Sequence, residues 1–245
     1  MRKYLIAAVA AVAAIAVTAS FASAQGTDTA TLKVSVSPKK AGTPSKPKNV
    51  TFSLNVINGN TSRTMSDLDV FIAKTAKLSL KGLPKCAPDK IFARSCPAST
   101  VLGRGEAKAK VGVNGPPANV RDLIFEVTAY KTNSPVTNKE MLGFFIDDGA
   151  TLQFLTETTL TKASGAYGQK LHIDVPELAQ RVGTTYNGLV SLRTTLSKKV
   201  GRNYLVSTTG CKAHKHPYKA DLTFIDNQVT TAGKISKTST AACTK

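Results

Sequence analysis

The stretch CKAHKHPYKAD, Cys211 to Asp221, concentrates the side chains best suited to chemistry. His214 and His216 share parity along an extended chain, so both imidazoles can point to one side. Two histidines so placed form half of a metal site, and a third ligand would have to come from Asp221, Asp226 or His172. Against this, His216 precedes a proline in a lysine-rich stretch, a pattern that reads as an exposed bend. His214 and His216 are therefore metal candidates without an identifiable third ligand. The expectation is no metal and no cofactor.

Asp147-Asp148 follows the apolar run LGFFI. Paired carboxylates can exchange protons or bind calcium. Adjacent residues on a strand face opposite sides, however, and Gly149 follows, so an Asp-Gly turn is the better reading. Ser-x-x-Lys occurs at Ser37/Lys40 and Ser45/Lys48, both inside one basic loop and with no Lys-Thr-Gly box in support. There is no Gly-x-Ser-x-Gly elbow, P-loop or dinucleotide fingerprint. The few carboxylates are scattered, which disfavours a glycosidase pair. No catalytic residue is named, and the balance is against an enzyme.

The four cysteines are Cys86, Cys96, Cys211 and Cys243. None forms a Cys-x-x-Cys pair, so zinc-cluster and redox readings fail. Structural disulfides remain. Of the three possible connectivities, the simplest joins sequence neighbours, Cys86 with Cys96 and Cys211 with Cys243. Such bridges persist in oxidising compartments. The N-terminus points the same way. Arg2 and Lys3 precede an apolar run from Leu5 to Val17, and Phe21-Ala22-Ser23-Ala24 offers small residues for cleavage. Residues 1–24 are read as a signal peptide and 25–245 as the exported domain. The run is short of the ~20 residues of a bilayer span, and no second long apolar run follows.

Net charge is +18, and lysines outnumber arginines 25 to 8. Lysine is a hydrated point charge rather than a planar bidentate donor, so the excess reads as a general cationic surface attracting polyanions. With no tryptophan and few aromatics, stacking platforms for specific nucleic-acid binding are lacking. The polyanion-binding candidates are Lys39, Lys40, Lys46 and Lys48 in the Pro/Lys-rich tract 37–49, and Lys212, Lys215 and Lys219 around the histidines.

Period-two alternation recurs in Leu32/Val34/Val36, Phe52/Leu54/Val56, Phe125/Val127/Ala129, Leu171/Ile173 and Tyr218/Ala220/Leu222/Phe224. Turn signals separate the runs: Asn58-Gly59, Gly103-Arg104-Gly105, Asn114-Gly115, Asp148-Gly149 and Asn187-Gly188. One short helix is expected from Asp174-Val175-Pro176-Glu177 to near Gly183. The fold class is all-β, an antiparallel β-sandwich of immunoglobulin-like or jelly-roll-like kind. Two packed β modules are possible, with a seam at 131–140.

The blocks KGLPKC…SCPASTVLGRGEAKA, ASGAYGQKLHIDVPE, YNGLVSL and STTGCKAHKHPYKADLTF resemble exported proteins of soil actinobacteria of the Solirubrobacter and Conexibacter kind. The resemblance spans nearly all of residues 25–245. It implies a cysteine-clipped β-sandwich outside the cytoplasm and brings no catalytic residues with it.

The leading functional expectation is a secreted or cell-wall-associated, non-enzymatic protein. Its partners would be anionic wall polymers or lipid headgroups, bound electrostatically. An extracellular hydrolase or carbohydrate-active enzyme is the competing reading, and a cleft around Asp147, Asp174 and His172 would support it. A subunit of a surface assembly joined through edge strands is the third. Oligomeric state is not legible.

Overall fold

A computed structural model describes residues 29–59, 61–116, 119–150, 152–228 and 232–245. The expected signal peptide lies outside the described residues. In chain order the strands are β1 (Ala30–Ser37), β2 (Lys48–Asn49), β3 (Thr51–Asn58), β4 (Met65–Ala73), β5 (Ala76–Leu78), β6 (Val101–Val111), β7 (Arg121–Asn133), β8 (Glu140–Asp147) and β9 (Gln153–Lys162). They continue with β10 (Tyr167–Asp174), β11 (Arg181–Val182), β12 (Thr185–Leu196), β13 (Lys199–Val200), β14 (Asn203–Tyr204), β15 (Val206–Thr208), β16 (Lys215–Phe224) and β17 (Gly233–Ala242). Two short helices interrupt them, α1 (Pro88–Phe92) and α2 (Glu177–Gln180).

The alternation seen in the sequence becomes the inside and outside of one sheet. Leu32, Val34 and Val36 of β1, Phe52, Leu54 and Val56 of β3, and Tyr218 to Phe224 of β16 all turn their apolar members into a shared core. Burying an aliphatic or aromatic side chain of this kind stabilises by roughly 1.5–3 kcal/mol. The fold is all-β and antiparallel, as expected. The main sheet runs β1-β3-β12-β6-β7-β8-β9-β10-β4-β16-β17, with β11 hairpinned onto β12. Its two halves face each other as the layers of a sandwich do: Phe52 of β3 meets Tyr218 of β16 at 5.4 Å between ring centroids. They are parts of one continuous sheet that curls almost into a barrel, not two separate sheets.

Closure has a geometric constraint. Every pairing along the sheet is antiparallel, and the path holds an odd number of strands, so β1 and β17 must point the same way. They meet in parallel fashion. Thr244 N donates to Lys39 O at 2.9 Å, and Ala41 N donates to Thr244 O at 2.9 Å. The small sheet β2-β15-β5 covers that end. The opposite end carries the β1, β4, β7, β9, β12 and β17 starts and α2.

The stretch 131–140 closes β7 onto β8, with Ser134 N donating to Lys139 O at 2.8 Å. Above it the outer face is buried as well. The loop carrying α1 lies on β8, and Cys86, Ile91, Met141, Phe145 and Leu155 form a second small core there. That cover explains why LGFFI lacks alternation: Phe144 faces the main core and Phe145 the α1 loop.

Two of the expected turns are strand interiors. Gly103 and Gly105 lie within β6, and Gly188 lies within β12. A Cβ on Gly105 would run into the Arg193 carbonyl, and one on Gly188 into the Thr61 carbonyl. Here glycine marks close backbone approach, to the neighbouring strand at Gly105 and to the 61–63 loop at Gly188, not reversal. The expected short helix forms as α2, follows Pro176, and ends before the Gly183 turn at φ +60°.

Core packing is incomplete at the α2 end. A cavity of about 160 Å³ lies in the α2 end of the barrel, lined almost wholly by apolar side chains. On a scale of ~24 cal/mol per Å³, a void of that size forgoes about 4 kcal/mol of packing.

Candidate functional site

The two disulfides join Cys86 to Cys96 and Cys211 to Cys243, with Cα–Cα separations of 5.9 and 5.7 Å. No free cysteine is found among the described residues. The first cystine closes the α1 loop against β8. The second pins the segment after β17 to the segment before β16, and Cys243 N donates to His214 O at 2.9 Å. Thr244, next in the chain, is the residue bonded to Lys39 and Ala41. Three distant pieces of chain, 38–49, 197–215 and 243–245, therefore meet at one end of the barrel.

This junction is rich in lysine. It holds Lys39, Lys40, Lys46, Lys48, Lys212 and Lys215 from the sequence reading and Lys198, Lys199, Arg202 and Lys245 from the same pieces, with Lys74 and Lys77 from the neighbouring β4–β5 segment. Those three pieces contain no aspartate or glutamate. Lys39, Lys40, Lys46, Lys212 and Lys215 are exposed, Lys48 is half-buried, and none of the six has a carboxylate partner among the described residues. Like charges held together in this way raise the local potential and the attraction for a polyanion.

Lys219 stands apart from that group. Its strand position places it beside Asp221, to which Nζ lies 2.9 Å away, and over the Phe71 ring at 4.2 Å. It is committed to the wall of the barrel.

The acidic residues gather on that wall. The register puts His172, Asp69 and Asp221 in one row across β10, β4 and β16, and Asp174 and Asp67 in the next. Asp69 Oδ1 accepts from His172 Nδ1 at 2.7 Å, and Asp174 Oδ1 accepts from Nε2 at 2.9 Å. Partial burial lowers the His172 pKa, but the two carboxylates outweigh it and the net shift is upward. The two carboxylates favour the imidazolium form of the ring. Asp67, His172 and Asp174 also present ligand atoms within 4.8 Å of one another. Asp221 is buried and accepts from Ser236 Oγ at 2.7 Å, with Lys219 and Lys234 at 2.9 and 3.1 Å. Burial raises its pKa, and these three donors reverse the shift, holding it below the ordinary carboxylate value.

The metal candidates separate. His214 is exposed in a turn at φ +57°, before β16 begins. His216 is 1 % exposed, not in an exposed bend as the following proline had implied. The proline is tolerated inside β16 while the strand's alternation drives His216 inward with Tyr218 and Ala220. Its Nδ1 lies 2.7 Å from Thr75 Oγ1, and burial lowers its pKa, so it is a neutral core imidazole. The two side chains thus diverge. The conjunction of Asp147, Asp174 and His172 does not form either. Asp147 is held by Arg94 through Nε and Nη2 at 2.7 and 2.8 Å, and accepts from Gly149 N at 2.8 Å in the expected Asp-Gly turn. The Arg94 contact keeps its pKa below the usual range.

The sequence reading named His172 and Asp174 but not Asp67 or Asp69 beside them. Only the β4–β10 register unites these residues, and no local spacing signals it. No helix among the described residues is long and apolar enough to cross a membrane. The chain matches no family model and no curated protein.

Proposed function

We propose that this is an extracytoplasmic, non-catalytic binding protein that docks its cystine-pinned, lysine-rich end onto anionic envelope polymers. One observation carries the reading: six of the seven lysines singled out in the sequence lie in segments meeting around Cys211–Cys243 and Thr244, with no aspartate or glutamate in them. Two disulfides are compatible with an oxidising space outside the cytoplasm. The signal-like N-terminus and the likeness to exported actinobacterial proteins support the same compartment.

The contact is electrostatic and lysine-based, so it tracks charge density more than polymer identity and weakens as salt screens it. The test is co-sedimentation with purified cell walls. Binding at low ionic strength with release as salt rises is expected, and protein that stays in the supernatant at low salt contradicts the proposal. Immobilised poly(glycerol phosphate) and phosphatidylglycerol vesicles, run side by side, separate wall polymer from lipid headgroup as the phosphate source.

A further inference from the structure

The cavity at the α2 end lies opposite the lysine-rich end. Its walls come from the inward faces of β4, β6, β7, β8, β9, β10 and β12, and the α2 segment lies across its mouth. Its space originates in β6. Successive inward positions there are Ala107 and Ala109, while the next strands of the sheet, β7, β8 and β9, supply Phe125, Phe144 and Phe154. Phe125 and Phe154 pack on each other at 5.7 Å, which fixes one wall.

Among the described residues no charged side chain lines this cavity, and Thr156 and Asn187 are the only polar side chains that do. Thr156 Oγ1 already accepts from Phe144 N at 3.2 Å. Asn187 Nδ2 donates to Ala179 O at 3.1 Å, tying α2 to the rim of the barrel. A carboxylate or ammonium inside would lose its hydration with no countercharge. The apolar lining also continues to the surface. Leu178 and Val182 line the cavity and are each 53 % exposed, so its rim presents an apolar pair to solvent.

We infer that the α2 end of the barrel is a binding site for a small, uncharged, hydrocarbon-rich molecule, entering beside α2 between Leu178 and Val182. Size and chemistry agree. An apolar cavity of ~150 Å³ in another protein stays dry and takes up benzene, and this one measures about 160 Å³. The mouths of β-barrels are a common place for such sites. This site shares no residue with the lysine-rich end, and its ligand carries no charge, so either assignment can fail without the other.

Toluene is the probe and benzoate its charged counterpart. Toluene at millimolar concentration should raise Tm saturably by about 2 °C or more, as a ligand confined to the native state does. Benzoate should bind at least about tenfold more weakly. Ala109→Phe fills the space and should abolish the toluene response while leaving Tm equal or higher. Leu178→Asp, at a position 53 % exposed, should weaken toluene binding about tenfold and carries the test if Ala109→Phe misfolds. Absence of a saturable toluene response, equal binding of benzoate, or an unchanged response in both variants overturns the site.

Discussion

Lys40 and Thr244 form a parallel bridge that joins the segment just after β1, the first strand of the barrel, to the segment just after β17, the last. The bridge sits one residue beyond Cys243, whose cystine holds the start of β16. One junction therefore both closes the barrel and gathers its lysines. Stability and binding should respond to it together.

The Cys211–Cys243 bridge spans 32 residues, and the Cys86–Cys96 bridge spans 10. By loop-closure entropy their removal should cost about 4 and about 3 kcal/mol respectively. Urea unfolding of the paired Cys→Ser variants measures both. The two should differ in function as well. Loss of Cys211–Cys243 should loosen the lysine-rich end and weaken polyanion binding. Loss of Cys86–Cys96 should leave binding intact, because that bridge only fastens the α1 loop to β8.

His172 and His216 should give opposite pH dependence. The folded pKa of His172 is raised, so its contribution is full below the unfolded value of about 6.5 and is lost as pH rises through the folded pKa. The folded pKa of His216 is lowered, so its contribution is present above about 6.5 and falls away as pH drops toward the folded pKa. Stability from these two groups should peak near pH 6.5. Tm against pH should lose its alkaline slope in His172→Gln and its acid slope in His216→Gln. An unchanged profile in both variants would contradict the assigned protonation states.

Asp221 is the only acceptor shared by Lys219, Lys234 and Ser236, and its side chain is 4 % exposed. The lysines are more exposed, at 28 % and 51 %, which moderates the loss when the charge is removed. Asp221→Asn should destabilise by about 2 kcal/mol. Its folded pKa is depressed, so the wild-type advantage should be present above the unfolded value of about 3.9 and vanish as pH falls through the folded pKa. Denaturant midpoints at pH 6 and pH 3 test both statements.

Gly105→Ala should destabilise by about 1–3 kcal/mol, since β6 must move from the Arg193 carbonyl to admit a methyl group. Gly105 also marks where sequence reading reached its limit. Gly103-Arg104-Gly105 has turn composition, and only the neighbouring strand explains why glycine is required inside β6. By contrast, β1, β3, β10 and β16 were legible because period-two alternation records burial directly. β8 was not, because the α1 loop buries its second face. His216 was misplaced for a related reason. Its proline and lysine neighbours describe a surface, while strand parity with Tyr218 and Ala220 puts the ring in the core.

The candidate sites were legible in proportion to how local they are. The lysine-rich tracts stand out in the chain, but their meeting depends on a cystine and a parallel bridge between its two ends. The carboxylates around His172 come from positions about a hundred residues apart on β4 and β10. The α2-end cavity depends on alanines at two inward positions of β6, and alanine alternating with lysine does not distinguish a filled core from an empty one.

The central claim is that position, not net charge alone, directs binding. Two triple variants of equal charge test it on immobilised poly(glycerol phosphate): Lys39→Glu/Lys40→Glu/Lys212→Glu at the cystine-pinned end, and Lys33→Glu/Lys90→Glu/Lys108→Glu elsewhere on the surface. The first should weaken low-salt binding by about tenfold or more relative to the second, which is 1.4 kcal/mol or more spread over three reversed charges. Equal losses in the two variants would show that net charge alone governs adsorption, and would contradict a defined cationic docking end.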